Sequence, residues 1–460
     1  MFCDIRFIAK KREWVVSVIV PMVFRYGIYG FLLTLLFVPY QTKLSGYAIP
    51  SLFLALCLCA VLVGFVLNRP SVTDFFYSSE GKLWTGFLFF FVLSAVVINH
   101  SKAVYLQAYF VSLVTYLVFR LSGTIINPDK LLKWIPSYLI LNGLFSYAQI
   151  WGGPAWYPAA YIVNGGLSDF RMPYGLQDIP TTAGLFSAVL LVGVMAKFSL
   201  ENNKKVGVVA LLAMFMGGGS VLLAASRASL LAVAVGVLIV TAFVILKKGR
   251  PVNLILMVGA ITGGLVISYV ACIDSNAYRP IRYKIVEPLL KMRLSDGSFQ
   301  QRLLTLKMVA DEFGPASPVS QASPASPVSQ ASQTRSVLML LFGIGIGNAE
   351  SHYGEYLSSG KPEWADKIGQ QTISVHNSFV EFLFEAGAIV FGFFSFITAY
   401  VLYRAIRSRR EELIPYIIMF VSLCAWMLFQ DYLRNRPFWL LLGILAAFAA
   451  KQRPKSILAR

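Results

Sequence analysis

Apolar stretches long enough to cross a bilayer recur along this chain, separated by short polar segments. A spanning helix needs roughly 17 to 25 mostly apolar residues to cover about 30 Å of hydrocarbon. Twelve stretches meet that condition, beginning near Trp14, Gly46, Leu83, Ala103, Leu131, Thr182, Val206, Ala228, Val252, Asn377, Leu413 and Pro437. None alternates apolar and polar residues as an outer-membrane barrel does, and an open sheet edge finds no hydrogen-bond partner in lipid. The pattern therefore predicts an all-α polytopic membrane protein of about 12 transmembrane helices. It divides the chain into helices 1–9 over residues 1–273, a large loop over 274–375, and helices 10–12 over 376–460.

Composition agrees with the pattern. The 460 residues are 57% hydrophobic and 13% charged, with a mean hydropathy of +0.67, which places most of the chain in lipid rather than water. A net charge of +18 raises the question of nucleic acid, but the Lys and Arg lie between the apolar runs and form no interleaved basic patch, so no nucleic-acid partner is expected. With the N-terminus inside, the short inner segments hold 23 of the 40 Lys and Arg, and the short outer ones hold six: Lys43, Lys102, Arg171, Arg227, Arg434 and Arg436. That asymmetry puts both termini in the cytoplasm. Five cysteines have neither disulfide-framework nor metal-ligand spacing and read as small apolar fillers. The first apolar run is too long for a signal peptide's core and is expected to be retained as a span. Arg25 fits it poorly, and either faces the bundle or marks a later start of the span.

Two outer segments are long. Residues 151–180, "WGGPAWYPAAYIVNGGLSDFRMPYGLQDIP", are rich in Gly, Pro and aromatics and predict an ordered loop or re-entrant segment. In the loop 274–375, Phe299, Leu303, Leu306, Ala310 and Phe313 recur at helical spacing behind Ser298, a candidate N-cap. They predict an amphipathic helix with Arg302 beside its apolar stripe; an interfacial helix with a snorkelling arginine is the plainer alternative. A tandem repeat follows, "ASPVSQASP" then "ASPVSQASQ", residues 316–333. It carries no charge and no aromatic residue, and reads as a low-complexity extended insert. After it, "LFGIGIGNAESHYGEY" spaces glycines at 343, 345 and 347 without the context of a dinucleotide fold, and predicts a tight turn near the membrane surface.

The chain has three histidines, at 100, 352 and 376. His376 falls at the outer mouth of the tenth span, just before Asn377, where free helix N–H groups favour anions. Glu381 and Glu385 share a face with Ser378 and descend to about 12 Å below the helix start, a depth that demands a polar cavity or a partner such as arginine. Arg171, Arg227, Arg434 and Arg436 reach the same rim, and a planar guanidinium binds phosphate oxygens in bidentate fashion without deprotonating. Histidine can take a proton from a hydroxyl at neutral pH. These residues suggest an outward-facing phosphate site with a base beside it, although histidines and arginines at span ends commonly serve as interfacial anchors. His352 reads as a surface histidine, a metal ligand or a substrate contact, and two histidines are too few to argue for zinc.

"VHNSFVEFLFEAGAIVFGFF", preceded by "LFGIGIGN", resembles the O-antigen ligase and O-antigen polymerase superfamily of bacterial inner membranes. The ligase pattern is met at His376, Asn377 and Gly387, while its last position, Gly, Thr or Tyr, is Val390 here. "SRAS" at Ser226–Ser229 resembles the family's outward arginine at the start of a span, and "QRLLTLKMVADEF" its arginine-bearing loop helix, here separated from the glycine turn by the tandem repeat. The resemblance implies a metal-independent glycosyltransferase without cofactor, moving an undecaprenyl diphosphate-linked glycan donor onto a hydroxyl of a glycan or lipid A core acceptor. It places the protein in the inner membrane with a periplasmic active site and a periplasmic large loop. It implies that Arg227 and Arg302 clamp the diphosphate and that His376 is base or positioner, with Arg171, Arg434, Glu385 and Asn377 supporting. The Val390 departure favours a polymerase of O-antigen or exopolysaccharide over a ligase. A lipid-linked sugar flippase is the alternative from another class.

Overall fold

The computed structural model describes residues 20–37, 43–44, 47–48, 53–59, 70–98, 101–121, 127–152, 175–177, 180–200, 206–246, 250–273, 306–310, 337–349, 351–352, 377–430 and 433–450. The thirteen named helices among them are α1 (Val20–Phe37), α2 (Pro70–Tyr77), α3 (Ser79–Val92), α4 (Ala103–Leu121), α5 (Pro128–Leu132), α6 (Ile135–Gly152), α7 (Pro180–Leu200), α8 (Val208–Leu223), α9 (Arg227–Leu246), α10 (Pro251–Cys272), α11 (Ser378–Arg407), α12 (Ile414–Met427) and α13 (Arg436–Ala450). The described strands are a two-residue ladder, Lys43–Leu44 paired antiparallel with Tyr47–Ala48. Among the described residues, five helices are long and apolar enough to cross a membrane: α4, most of α7, α9, α10 and α11. The protein is thus an α-helical membrane protein.

Helix α7 lies at the centre, packed against α6, α8, α9 and α12, while α13 joins α4 to α11 and α12. Close approach of α8 and α10 follows from small residues: a Cβ on Gly218 would lie 2.7 Å from the Ile261 carbonyl oxygen. Removing side chains lets backbones touch where lipid supplies no hydrophobic drive. The polar segment Gly175–Gln177 enters the bundle beside α6. The Gln149 side chain bonds both the amide and the carbonyl of Gly175 (3.0 Å each), and Asn142 Oδ1 accepts from the Leu176 amide at 2.8 Å. Asn142 stands ten residues before the end of α6, about 15 Å down the helix, so residues 175–177 lie well inside the bundle. Their backbone polar groups are met by side-chain amides because lipid offers none.

Near the span start expected at Leu131, the short α5 and the longer α6 part at Lys133–Trp134. The expected loop helix is described over 306–310, where Met308 and Val309 meet protein and Leu306 and Ala310 are exposed. The side of this turn that carries Met308 and Val309 faces Phe384 of α11, and the stripe residues Leu306 and Ala310 face away from it.

Contacts between helix ends sort the bundle into two ends. Ser378 at the start of α11 bonds Gln430 beyond α12, and Trp426 near the end of α12 donates to Ser229 in the first turn of α9. At the other end the Arg250 amide bonds Ser199 of α7, and Arg410 bonds Phe448 of α13.

Candidate functional site at a broken helix

Helix α11 begins on Asn377, whose Oδ1 accepts from the amides of Phe379 and Val380, both at 3.1 Å. A side-chain acceptor here satisfies donors the helix itself leaves open. The Ser378 hydroxyl donates to the Gln430 carbonyl at 2.6 Å, and its amide reaches the same oxygen at 3.2 Å. The helix start is thereby pinned to the end of α12.

One turn further, Glu381 is 2% exposed and forms an ion pair with Arg434, whose guanidinium also lies 4.3 Å over the Tyr105 ring of α4. The Arg434 carbonyl accepts from Ser112 Oγ at 2.7 Å. Arginine suits this place because its flat face stacks while its edge pairs. The expected arginine partner for a deep carboxylate is therefore present, at Glu381. Arg434, expected to help hold phosphate, has its charge already balanced by this carboxylate.

The second acid, Glu385, sits where the helix breaks. Gly387 has φ 82° and ψ 167°, a conformation outside the helical region. The glycine-rich segment 343–347 repairs the break: Ile344 donates to the Phe384 carbonyl and Gly345 to that of Glu385, each at 3.0 Å. Gly343, Gly345 and Gly347 all have positive φ, at 75°, 97° and 82°. A Cβ on Gly343 would overlap the Glu385 carbonyl, so the two backbones can meet only without side chains. Ser94 closes the knot. It lies in a π-helical turn, Leu93–Ile98, and its hydroxyl reaches the carbonyls of Phe342 and Ala386. Glu385 Oε1 accepts from the Ala349 amide at 3.3 Å, and so caps the helical turn that carries His352. The predicted turn is thus a splice in α11.

The loop turn, the glycine-rich segment and the first half of α11 form one apolar cluster. Met308, Val309, Ile344, Ala349 and Phe384 are buried together, with Val380 against them. His352 meets Phe384 edge-on, ring centroids 6.1 Å apart at 87°.

Arg227 is the first residue of α9, half-buried, after a corner in which Ala224, Ala225 and Ser226 are buried. Ala225 takes φ 47°, a left-handed conformation that costs a non-glycine residue about 1–2 kcal/mol. Through the Ser229–Trp426 and Ser378–Gln430 bonds Arg227 belongs to the same bundle end as Arg434 and Asn377. His376, Arg302 and Arg171, with the tandem repeat, lie outside the described residues. Among the described residues no three His, Cys, Asp or Glu side chains converge as metal ligands.

Several positioning residues carried no sequence signal that singled them out. Ser94 is one apolar-run serine among many, and Tyr105 one aromatic among many. At the other end of the bundle, Glu80 is 2% exposed, bonds Arg120 at 2.7 Å and Tyr116 at 2.6 Å, and lies 3.7 Å from Arg404. Ser78 caps Gly81 with this acid in the first turn, the readable mark of a helix start.

Fold and site together define a polytopic α-helical membrane protein with a discontinuous helix whose buried carboxylates are held by arginine and by backbone. No family model matches the chain, and no curated protein matches it in sequence.

Proposed function

We propose that this end of the bundle is the active site of a glycosyltransferase that consumes a lipid diphosphate-linked sugar chain. The observation that carries the reading is the convergence of the loop turn 306–310, the glycine-rich segment and the first half of α11 in one packed unit. Arg302 precedes the first by four residues, and His376 precedes the last by two. In this reading the chain has about twelve spans, the loop and the site face the periplasm of a bacterial inner membrane, and both termini are cytoplasmic. The acceptor hydroxyl oxygen attacks the anomeric carbon, the bond from that carbon to the diphosphate oxygen breaks with its electron pair, and His376 takes the hydroxyl proton. Arg227 and Arg302 neutralise the departing diphosphate, and holding both reactants in line supplies much of the barrier reduction. Arg434 and Glu381 act as a frame rather than as direct phosphate ligands; Glu385 and Asn377 set the position of the half-helix, and Arg171 is a further rim cation. Polymerisation into O-antigen or exopolysaccharide is preferred, and ligation to lipid A core is the variant with a different acceptor. The test is glycan product in cells carrying His376→Ala or Arg227→Ala: the reading requires its loss with protein still in the membrane, and wild-type product in either variant refutes it.

A second reading, movement of the intact lipid-linked sugar across the membrane, is favoured by one observation. Transporters place substrate at discontinuous helices, and α11 breaks at Gly387 beside two buried carboxylates. Bond cleavage separates the two: transport leaves the sugar–diphosphate bond intact.

A further inference from the structure

Two donors on the rim of the site have no role in the scheme above. Lys102 precedes α4 and is exposed; its ammonium donates to Ser351 Oγ at 3.1 Å. No carboxylate among the described residues lies within ion-pair distance of it. His352, the next residue after Ser351, is half-buried, and neither imidazole nitrogen has a hydrogen-bond partner among the described residues.

The frame beneath this pair is tighter than a solvated surface requires. The Lys102 amide bonds the Ile346 carbonyl at 2.9 Å, and the Ile346 amide bonds Ser101 Oγ at 2.7 Å. Glu385 caps Ala349, Asn348 Nδ2 bonds the Ile344 carbonyl at 3.1 Å, and Phe384 braces the imidazole. Tyr105, one helical turn from Lys102, lies against Gly347 on one side and carries Arg434 over its ring. Lys102, His352 and Arg434 are therefore fixed around one corner by the segment that splices α11. Pre-organised cationic and N–H donors with spare capacity fit an oxyanion-rich group.

We propose that Lys102 and His352 form a phosphate-binding edge of the site that holds the diphosphate of the lipid-linked donor, an inference that rests on the transferase reading. It is tested with the purified full-length protein and a polyprenyl diphosphate lacking sugar as probe, with phosphatidylglycerol micelles as the second arm. Lys102→Met and His352→Ala are each expected to weaken diphosphate binding about tenfold, the worth of one charge-assisted contact. They should also raise KM for the donor more than they lower kcat. His352→Gln, which keeps an N–H donor against Phe384, should recover part of the loss. Unchanged affinity in variants that elute as the wild type does would overturn the proposal. An equal loss for phosphatidylglycerol would overturn the donor assignment, because the edge would then serve any lipid phosphate. If the wild type binds the probe through these residues yet transfers no sugar, the transferase reading fails and the phosphate edge stands.

Discussion

Gly387→Ala is the sharpest probe of the splice. The added Cβ would lie 2.5 Å from the Phe342 carbonyl carbon and would overlap the Gly343 amide nitrogen and the Leu341 carbonyl, all backbone atoms that no rotamer change can move. Holding alanine at φ 82° costs about 1–2 kcal/mol. Forcing the two segments apart adds about 1–3 kcal/mol for overpacking. It also strains the Ile344–Phe384 and Gly345–Glu385 hydrogen bonds, each worth about 0.5–1.5 kcal/mol. The expected loss is about 3–8 kcal/mol on these contributions. Gly392, five residues along the same helix, is the control: a Cβ there meets nothing within 4 Å, and alanine favours a helix by up to about 1 kcal/mol over glycine. Thermal unfolding of detergent-purified protein, read as the monodisperse fraction remaining after heating, should place Gly387→Ala several degrees below wild type and Gly392→Ala at or slightly above it. Equal melting of the two variants would refute the splice, because an unbroken helix would treat both glycines alike.

The buried pair should behave as a unit. Glu381→Ala and Arg434→Ala are each expected to cost about 3–5 kcal/mol by stranding the other charge, and the double variant to cost less than their sum by at least about 0.5 kcal/mol; additive losses in a thermal-melt cycle would remove the pairing. Asn377→Ala should lower stability by about 1 kcal/mol through loss of the cap, with Asn377→Asp close to wild type, and equal melts for Ala and Asp would deny the capping role. Deleting residues 316–333 should leave glycan product intact in cells, since the repeat has no apolar residue pattern to pack; loss of product with normal protein level would show the insert to be needed.

Helix starts were largely legible from the apolar runs. The expected starts at Ala103, Ala228, Val252, Asn377 and Leu413 fall within one residue of α4, α9, α10, α11 and α12, because a charge, a proline or an Asn cap marks each boundary locally. The burial of Glu381 and Glu385 was also readable, as two acids one turn apart in an apolar run. What escaped were features made by distant segments. Gly387 inside "FEAGAIVFG" looks like a tolerated helix glycine; it becomes a break only because residues 343–347 supply the lost hydrogen bonds from elsewhere in the chain. Ser94 acquires meaning from the same encounter. The partner of Glu381, Arg434, lies 53 residues away and is not selected by spacing from the other rim arginines.

The central claim is that this site breaks the bond between a sugar and a lipid diphosphate. The direct measurement reconstitutes the purified protein in a bilayer with a polyprenyl diphosphate-linked oligosaccharide and an acceptor glycan, and follows the lipid product by mass. Time-dependent release of free polyprenyl diphosphate by the wild type, lost in His376→Ala, is the predicted result. Lipid that crosses the bilayer with its sugar still attached, and no free diphosphate, would contradict it.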